Sequence, residues 1–200
     1  MSLAQTIWNG GFGDEYTIRN AATDEAINAR EDMWRKILAK VDEPRSALEV
    51  GANVGTNLRA LRRIIGHDLY AVEPNDYARD ILRLEGFHAI DGVASKIAYP
   101  DSFVDMVFTS GVLIHIPPDQ LLTAMKEIHR CSHKYIACIE YFSVEPETAP
   151  YRGNKEILFK RDFGAMWLDH FPKLMLRDYG FFWKRATGLD NLTWQLFEKL

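Results

Sequence analysis

The chain has 200 residues, 47% of them hydrophobic, a length and composition that suit one domain with a full-sized core. Its formal net charge is −4, so no overall positive field exists to draw in a nucleic-acid backbone or an anionic membrane surface. Cys131 and Cys138 lack the short spacing of a metal clip and read as reduced core thiols, and no metal site is expected.

The first residues, MSLAQTIW, carry neither a basic leader nor a long apolar run, and no stretch approaches the ~18 consecutive apolar residues of a membrane span. The expectation is a cytoplasmic protein, monomer or homodimer, that meets a small molecule rather than nucleic acid or membrane. Next comes GGFGDEYTIRN (10–20), three glycines among aromatics and charges, with no strand before it. Helical periodicity begins at Thr23, with apolar positions Ile27, Met33, Trp34, Ile37, Leu38 and Val41, and Pro44 closes it.

SALEV then runs straight into Gly51, followed by a helical pattern with Leu58, Leu61, Ile64 and Ile65 on one face. The unit repeats: LYAV is a strand, Asn75 caps a helix running to Gly86, and FHAI is a third short strand. VDMVFTS (104–110), PPDQLLTAMKEIHR and KYIACIEYF read as strand, proline-started helix and strand. Strands alternating with helices predict a parallel sheet covered on both faces. Residues 143–158 read as a long loop and RDFGAMWLDHF as a helix. LMLRDYGFFWKR and LTWQLFEKL read as an antiparallel hairpin at the sheet edge, turning around 188–191. Trp167, Tyr179, Phe181, Phe182, Trp183 and Trp194 read as core and sheet-edge packing.

In open α/β sheets ligands bind beyond the carboxyl ends of the strands, so residues just after strands carry the functional information. EVGANVGTN (49–57) places Gly51 and Gly55 where a ligand can lie against backbone, with free N–H groups at the following helix start. Glu73, at the end of the second strand, can accept both hydroxyls of a ribose, and Pro74 and Asn75 turn the chain into the next helix. A dinucleotide fingerprint needs G-x-G-x-x-G; the spacing here is G-A-N-V-G, which disfavours a pyrophosphate and with it a nicotinamide enzyme.

The turn Glu49, Gly51, Asn53, Gly55 resembles the E/D-x-G-x-G-x-G signature of class I S-adenosylmethionine-dependent methyltransferases, with Asn53 a departure from it. In that family the leading acid helps hold the amino-acid part of the cofactor. The resemblance implies a single Rossmann-like α/β domain over residues 1–200, with a seven-stranded, mostly parallel sheet of order 3-2-1-4-5-7-6 and a C-terminal antiparallel hairpin. It also implies S-adenosylmethionine as cofactor and S-adenosylhomocysteine as product. Gly92, Val93 and Ala94 are then expected beside adenine, with the adenine amino group held by backbone or by Asp91, since many relatives carry an acid where Val93 falls. Thr109, Ser110 and Gly111 are expected beside the methionine portion, with Asn57 completing the turn. A narrower resemblance is to a small methyltransferase group associated with the biosynthesis of pseudaminic acid, a nonulosonic sugar acid. It is carried by W-x-x-x-F-G-D-E-Y-x-x-R-N (Trp8 to Asn20), the E-V-G-A-N-x-G-x-N turn, G-V-L-I-H-I-P-P and F-K-R-D-F-G (159–164).

Methyl transfer needs alignment, exclusion of water and loss of one proton at some stage, so one titratable group can suffice. His115, shortly after the fourth strand, is the candidate base, with Glu140 and Tyr141 second-line candidates on the substrate side. Arg152, Lys155, Lys160 and Arg161 fall in a substrate-side insertion (143–163) and suit a carboxylate or phosphate, although Glu156 and Asp162 interleave them as on an ordinary solvated surface. Residues 1–22 are expected to form a lid in which Tyr16 closes over the cofactor and Arg19 pairs with its carboxylate; plain packing against the sheet is the alternative. The acceptor is expected to be an anionic metabolite such as a sugar acid or nucleotide sugar. An amino acid, a natural-product carboxylate, or a noncatalytic cofactor-binding role remain open.

Overall fold

A computed structural model describes residues 3–200; side chains are described except those of residues 3–5 and 154–156, so Lys155 and Glu156 lie outside the described side chains. Two short helices come first, α1 (Leu3–Asn9) and α2 (Gly11–Arg19). Glycine is a poor helix former, which hid α2 from the sequence. Gly13 is required there because a Cβ would lie 1.9 Å from the Trp8 carbonyl oxygen. Thr23 accepts the Ala26 N–H at 3.2 Å and starts α3 (Asp24–Leu38), which ends six residues before Pro44, so Val41 packs on the core from outside the helix.

The alternating region follows as β1 (Ala47–Val50), α4 (Thr56–Ile65), β2 (Leu69–Val72), α5 (Asp76–Leu84), β3 (His88–Ile90), β4 (Val104–Ser110), α6 (Pro118–Cys131) and β5 (Ser132–Glu140). These five strands are mutually parallel, and β9 (Leu192–Lys199) returns antiparallel to β5 with β8 (Leu174–Phe182) antiparallel beyond it. The sheet order β3-β2-β1-β4-β5-β9-β8 is the seven-stranded arrangement expected, hairpin included, with a short helix α8 (Lys184–Thr187) in its connection. The apolar faces of α3, α4 and α5 bring Trp34, Ile37, Leu58, Leu61 and Leu82 against Phe108 of β4 in a core on one face of the sheet. Val50, Val107, Met125, Ile128, Trp167 and Phe197 fill the core on the other.

Two expectations are corrected. The stretch 143–158 is not a plain loop: β6 (Glu147–Tyr151) and β7 (Asn154–Lys160) form a separate hairpin, followed by α7 (Phe163–His170). Its two-residue turn, Arg152 and Gly153, has positive φ at both positions (49° and 85°), the geometry matched to strand twist, while Pro150 sits at a register shift. Trp167, Phe182 and Trp194 are buried, but Tyr179 and Phe181 on the edge strand β8, and Trp183 just after it, are exposed. Cys131 and Cys138 are free and buried, and no helix among the described residues is long and apolar enough to cross a membrane.

Candidate active site

After β1 the chain turns through Gly51 (φ 75°), Asn53 (φ 46°) and Gly55 (φ 74°) into α4. Gly51 borders a cleft of about 410 Å³ at the carboxyl edge of the sheet, and a Cβ on it would come within 2.7 Å of Val112 Cγ2. Gly55 does not border the cleft, which corrects the expectation of ligand contact there. Its added Cβ would strike Leu82 Cδ2 at 2.6 Å, so its bareness serves the packing of α4 on α5.

At the end of β2, buried Glu73 accepts the Asn53 N–H through Oε2 (2.7 Å) and the Asn75 N–H through Oε1 (2.9 Å). Burial pushes its carboxyl above the usual carboxylate range, while those two N–H bonds and Arg79 pull it down. Asn75 Oδ1 caps α5 by accepting the Ala78 N–H at 2.9 Å. Arg79 locks the turn, donating to the carbonyls of Glu73 and Pro74 at 2.8 Å each and pairing with Asp76 and Asp91. Asp91 is thereby turned to Arg79 and does not border the cleft, leaving backbone for the adenine side; Gly92, Val93 and Ala94 do border it, with Pro74 and Asn75 opposite.

The other wall follows β4. Ser110 and Gly111 line the cleft, but Thr109 is buried away from it, where it acts on the Glu140 carboxyl, a second correction. Glu140 is not a substrate group either: fully buried, it accepts the N–H groups of Val112 (3.2 Å), Leu113 (3.1 Å) and Ile114 (3.4 Å), anchoring the 3₁₀ turn Leu113–His115. Burial raises its carboxyl to about 7 against the pull of these donors.

His115 reaches the cleft from that turn, its ring packed 4.9 Å from Trp8 and 5.0 Å from Tyr151. Its Nδ1 lies 2.6 Å from the Ile157 carbonyl oxygen on β7; a carbonyl only accepts, so Nδ1 carries the proton and Nε2 keeps its lone pair. Burial lowers its pKa to about 4, so the ring is neutral at physiological pH.

The helices α1 and α2 cover the cleft, with Trp8, Tyr16, Thr17, Arg19 and Asn20 on its border. Their struts come from the binding turns: Thr17 Oγ1 donates to Asn53 Oδ1 (3.0 Å), and Asn75 Nδ2 donates to the Trp8 carbonyl (3.2 Å) and Asp14 Oδ1 (2.8 Å). Burial lifts the Tyr16 phenol to about 12, with the Tyr151 phenol adding to the rise. Arg19 lies at the rim, paired with exposed Glu15 at 3.3 Å.

Deeper in, Glu49 is buried at the end of β1, its Oε1 accepting from Asn57 Nδ2 at 2.7 Å. Glu49 Oε2 and Asn57 Oδ1 have no partner among the described residues although both residues line the cleft. Across from Glu49 stands Arg30 of α3, half-buried, its guanidinium donating to the Ala26 carbonyl at 3.2 Å. Arg30 was missed in the sequence, though it carried a signal: it sits three residues after Ile27 and four before Trp34, a cation on the apolar face of an amphipathic helix.

The expected substrate cations are not gathered here. Arg152 lies over the Tyr151 ring, 5.5 Å away, at the hairpin tip; Lys160 pairs with Glu147 at 3.2 Å; and neither they nor Arg161 borders the cleft. Tyr141 donates to Asp190 at 3.0 Å and shares a separate shallow hollow with Lys160, Phe142 and Phe181. No cluster of His, Cys, Asp and Glu suited to a metal occurs among the described residues.

The cleft fits a nucleoside bearing an amino-acid chain: a pinned carboxylate for ribose, bare backbone at Gly51 and Gly92, and unpartnered polar atoms at Glu49 and Asn57. In fold, the chain is similar to a SAM-dependent methyltransferase of Leishmania major (15% identity, TM-score 0.73, 98% of this chain and 87% of that one). It is similar as well to the 1,6-didemethyltoxoflavin-N1-methyltransferase of Burkholderia thailandensis, solved with S-adenosylhomocysteine bound (17%, TM-score 0.69, 97% and 88%). A possible histamine N-methyltransferase of Thermotoga maritima aligns over 98% of this chain and 99% of its own (16%, TM-score 0.65). These likenesses establish the Rossmann-like methyltransferase fold. No curated protein matches the chain in sequence. Residues 48–135, the span holding the glycine turn, Glu73, the Gly92–Ala94 loop and His115, match the family model of a methyltransferase domain.

Proposed function

We propose that this protein is an S-adenosylmethionine-dependent methyltransferase acting on an oxygen or nitrogen of a small anionic metabolite, such as a nonulosonic sugar acid or nucleotide sugar. One observation carries the reading: a buried Glu73, pinned by the N–H groups of Asn53 and Asn75, faces the same cleft as Gly51 and Glu49 within the span matched by the methyltransferase model. When bound, the cofactor supplies an electrophilic methyl group on a sulfonium.

The chain's own residues do the rest. Glu73 accepts the ribose hydroxyls, the backbone of Gly92–Ala94 flanks the base, and Glu49 with Asn57 holds the amino-acid end. Trp8 and Tyr16 exclude water, with residues 1–22 as a lid on a single domain spanning 1–200. His115 Nε2 accepts a hydrogen bond from the acceptor and orients it; a ring with its pKa held near 4 is a weak base, so alignment carries more of the rate than proton transfer. The anionic acceptor is supported by Arg19 at the cleft border and by the sugar-acid group's motifs at both ends of the chain. The hairpin within 143–163, which supplies Ile157 and Tyr151 around His115, is the substrate-side insertion.

Titration calorimetry with S-adenosylhomocysteine tests the first half, with stoichiometric binding expected; no binding at millimolar ligand overturns it. A screen of sugar acids, nucleotide sugars and amino acids with labelled methyl donor, read by mass, tests the second half. Methylated sugar acid supports it, and methylation confined to amino acids redirects it.

A further inference from the structure

The inner end of the cleft holds two facing groups of opposite chemistry that the nucleoside does not use. Glu49 closes β1, buried, with Oε2 unpartnered; Arg30 stands opposite on α3, and no carboxylate lies within 4 Å of its guanidinium among the described ion pairs. The groups facing Glu49 are Arg30 from α3, the Asn57 amide from α4 and, at the end of β2, the second buried acid Glu73; Arg30 in turn feels Tyr16 on α2 and Asp190 near the C-terminal hairpin. An acid and a guanidinium lining the same cleft match the two ends of an α-amino acid, its ammonium toward Glu49 and its carboxylate toward Arg30.

From this arrangement we infer that Glu49 is a neutral acid in the empty cleft and surrenders its proton when the ligand's α-ammonium group docks against Oε2. The inference rests on the methyltransferase reading for the identity of that ligand. The balance is closed: a carboxylic acid and a ligand ammonium become a carboxylate–ammonium pair, and one proton leaves to solvent. Burial and the like charge of Glu73 favour the neutral acid, the Asn57 amide and Arg30 oppose it, and the outcome is a carboxyl raised to about 8. Arg30 alone does not hold Glu49 ionised, because the cost of burying the charge outweighs its pull. The ligand's ammonium supplies the missing compensation at contact distance. Affinity is thereby linked to pH through this one side chain.

The probes are S-adenosylhomocysteine, which carries the amino-acid end, and 5′-methylthioadenosine, which lacks it. Titration calorimetry at pH 6.5 in buffers of different ionisation heat counts protons. Close to one proton released per S-adenosylhomocysteine is expected, and none with methylthioadenosine. Affinity for S-adenosylhomocysteine should rise about tenfold per pH unit below pH 7.5. Glu49→Gln keeps the Asn57 contact and should abolish both the release and the pH dependence. Stoichiometric binding without proton release, or release that persists in Glu49→Gln, overturns the inference and leaves the methyltransferase reading standing. Failure of S-adenosylhomocysteine to bind at all overturns both.

Discussion

Asn75 Nδ2 donates to Asp14 Oδ1 at 2.8 Å while Asn75 Oδ1 accepts the Ala78 N–H at 2.9 Å, so one side chain both caps α5 and fastens the covering helices. The two roles separate by substitution. Asn75→Asp keeps a good cap but sets a carboxylate against Asp14. It should leave global stability nearly unchanged while speeding proteolysis at residues 1–22 and S-adenosylhomocysteine release. Asn75→Ala should cost about 1 kcal/mol as well, measured by denaturant unfolding.

Gly55 should behave as a packing residue. Gly55→Ala forces a Cβ into Leu82 at a φ of 74°, and a loss of about 1–2 kcal/mol is expected with S-adenosylhomocysteine affinity largely kept. A variant of full stability that no longer binds would return Gly55 to the ligand.

For Glu140→Gln, the three N–H groups of Val112, Leu113 and Ile114 lose their charged acceptor. About 2 kcal/mol of stability should go, and with it the placement of His115. Restored activity with small exogenous carboxylates would be inconsistent with this anchoring role.

The five parallel strands, the helices between them and the edge hairpin were legible in the sequence because apolar periodicity and glycine turns are local signals. Gly51, Asn53 and Glu73 follow strands, and the structure places them with Glu49 and Asn57 on one cleft. What was not legible is what depends on contact across the chain. Thr109 and Glu140 lie buried near the ends of neighbouring strands, and Glu140 satisfies the 112–114 turn instead of facing a ligand. Lys160 finds Glu147 only because 143–158 folds back as a hairpin, hidden by its proline and mixed charge. Arg30 joins the site only through tertiary packing, which sets α3 against α4 and brings its guanidinium to the cleft that Glu49 lines.

Stability against pH should report His115. Its ring is favoured neutral in the fold, with a pKa near 4 against an ordinary value of 6.5. Its contribution is therefore fully present above pH 6.5 and is lost as pH falls from there toward 4, by up to about 3 kcal/mol. Unfolding free energies measured across that window should show a shallower decline in His115→Gln; identical slopes would count against the burial.

Arg30 and Arg19 should part company in binding. Arg30→Ala should weaken S-adenosylhomocysteine at least about tenfold, as expected for losing a charged hydrogen-bond partner, and spare 5′-methylthioadenosine. Arg19→Ala, which breaks only an exposed pair with Glu15, should alter neither by more than about threefold. The reverse ranking would move the carboxylate to the rim.

The carbonyl of Ile157 chooses which nitrogen of His115 looks into the cleft, and it belongs to a hairpin that lies outside the main sheet. Lengthening, shortening or repacking residues 147–160 can thus reverse the imidazole's polarity toward an acceptor, from taking a proton's hydrogen bond to giving one, with no change at position 115. The polarity that the cleft presents at His115 is open to adjustment from a hairpin that is hydrogen-bonded outside the main sheet.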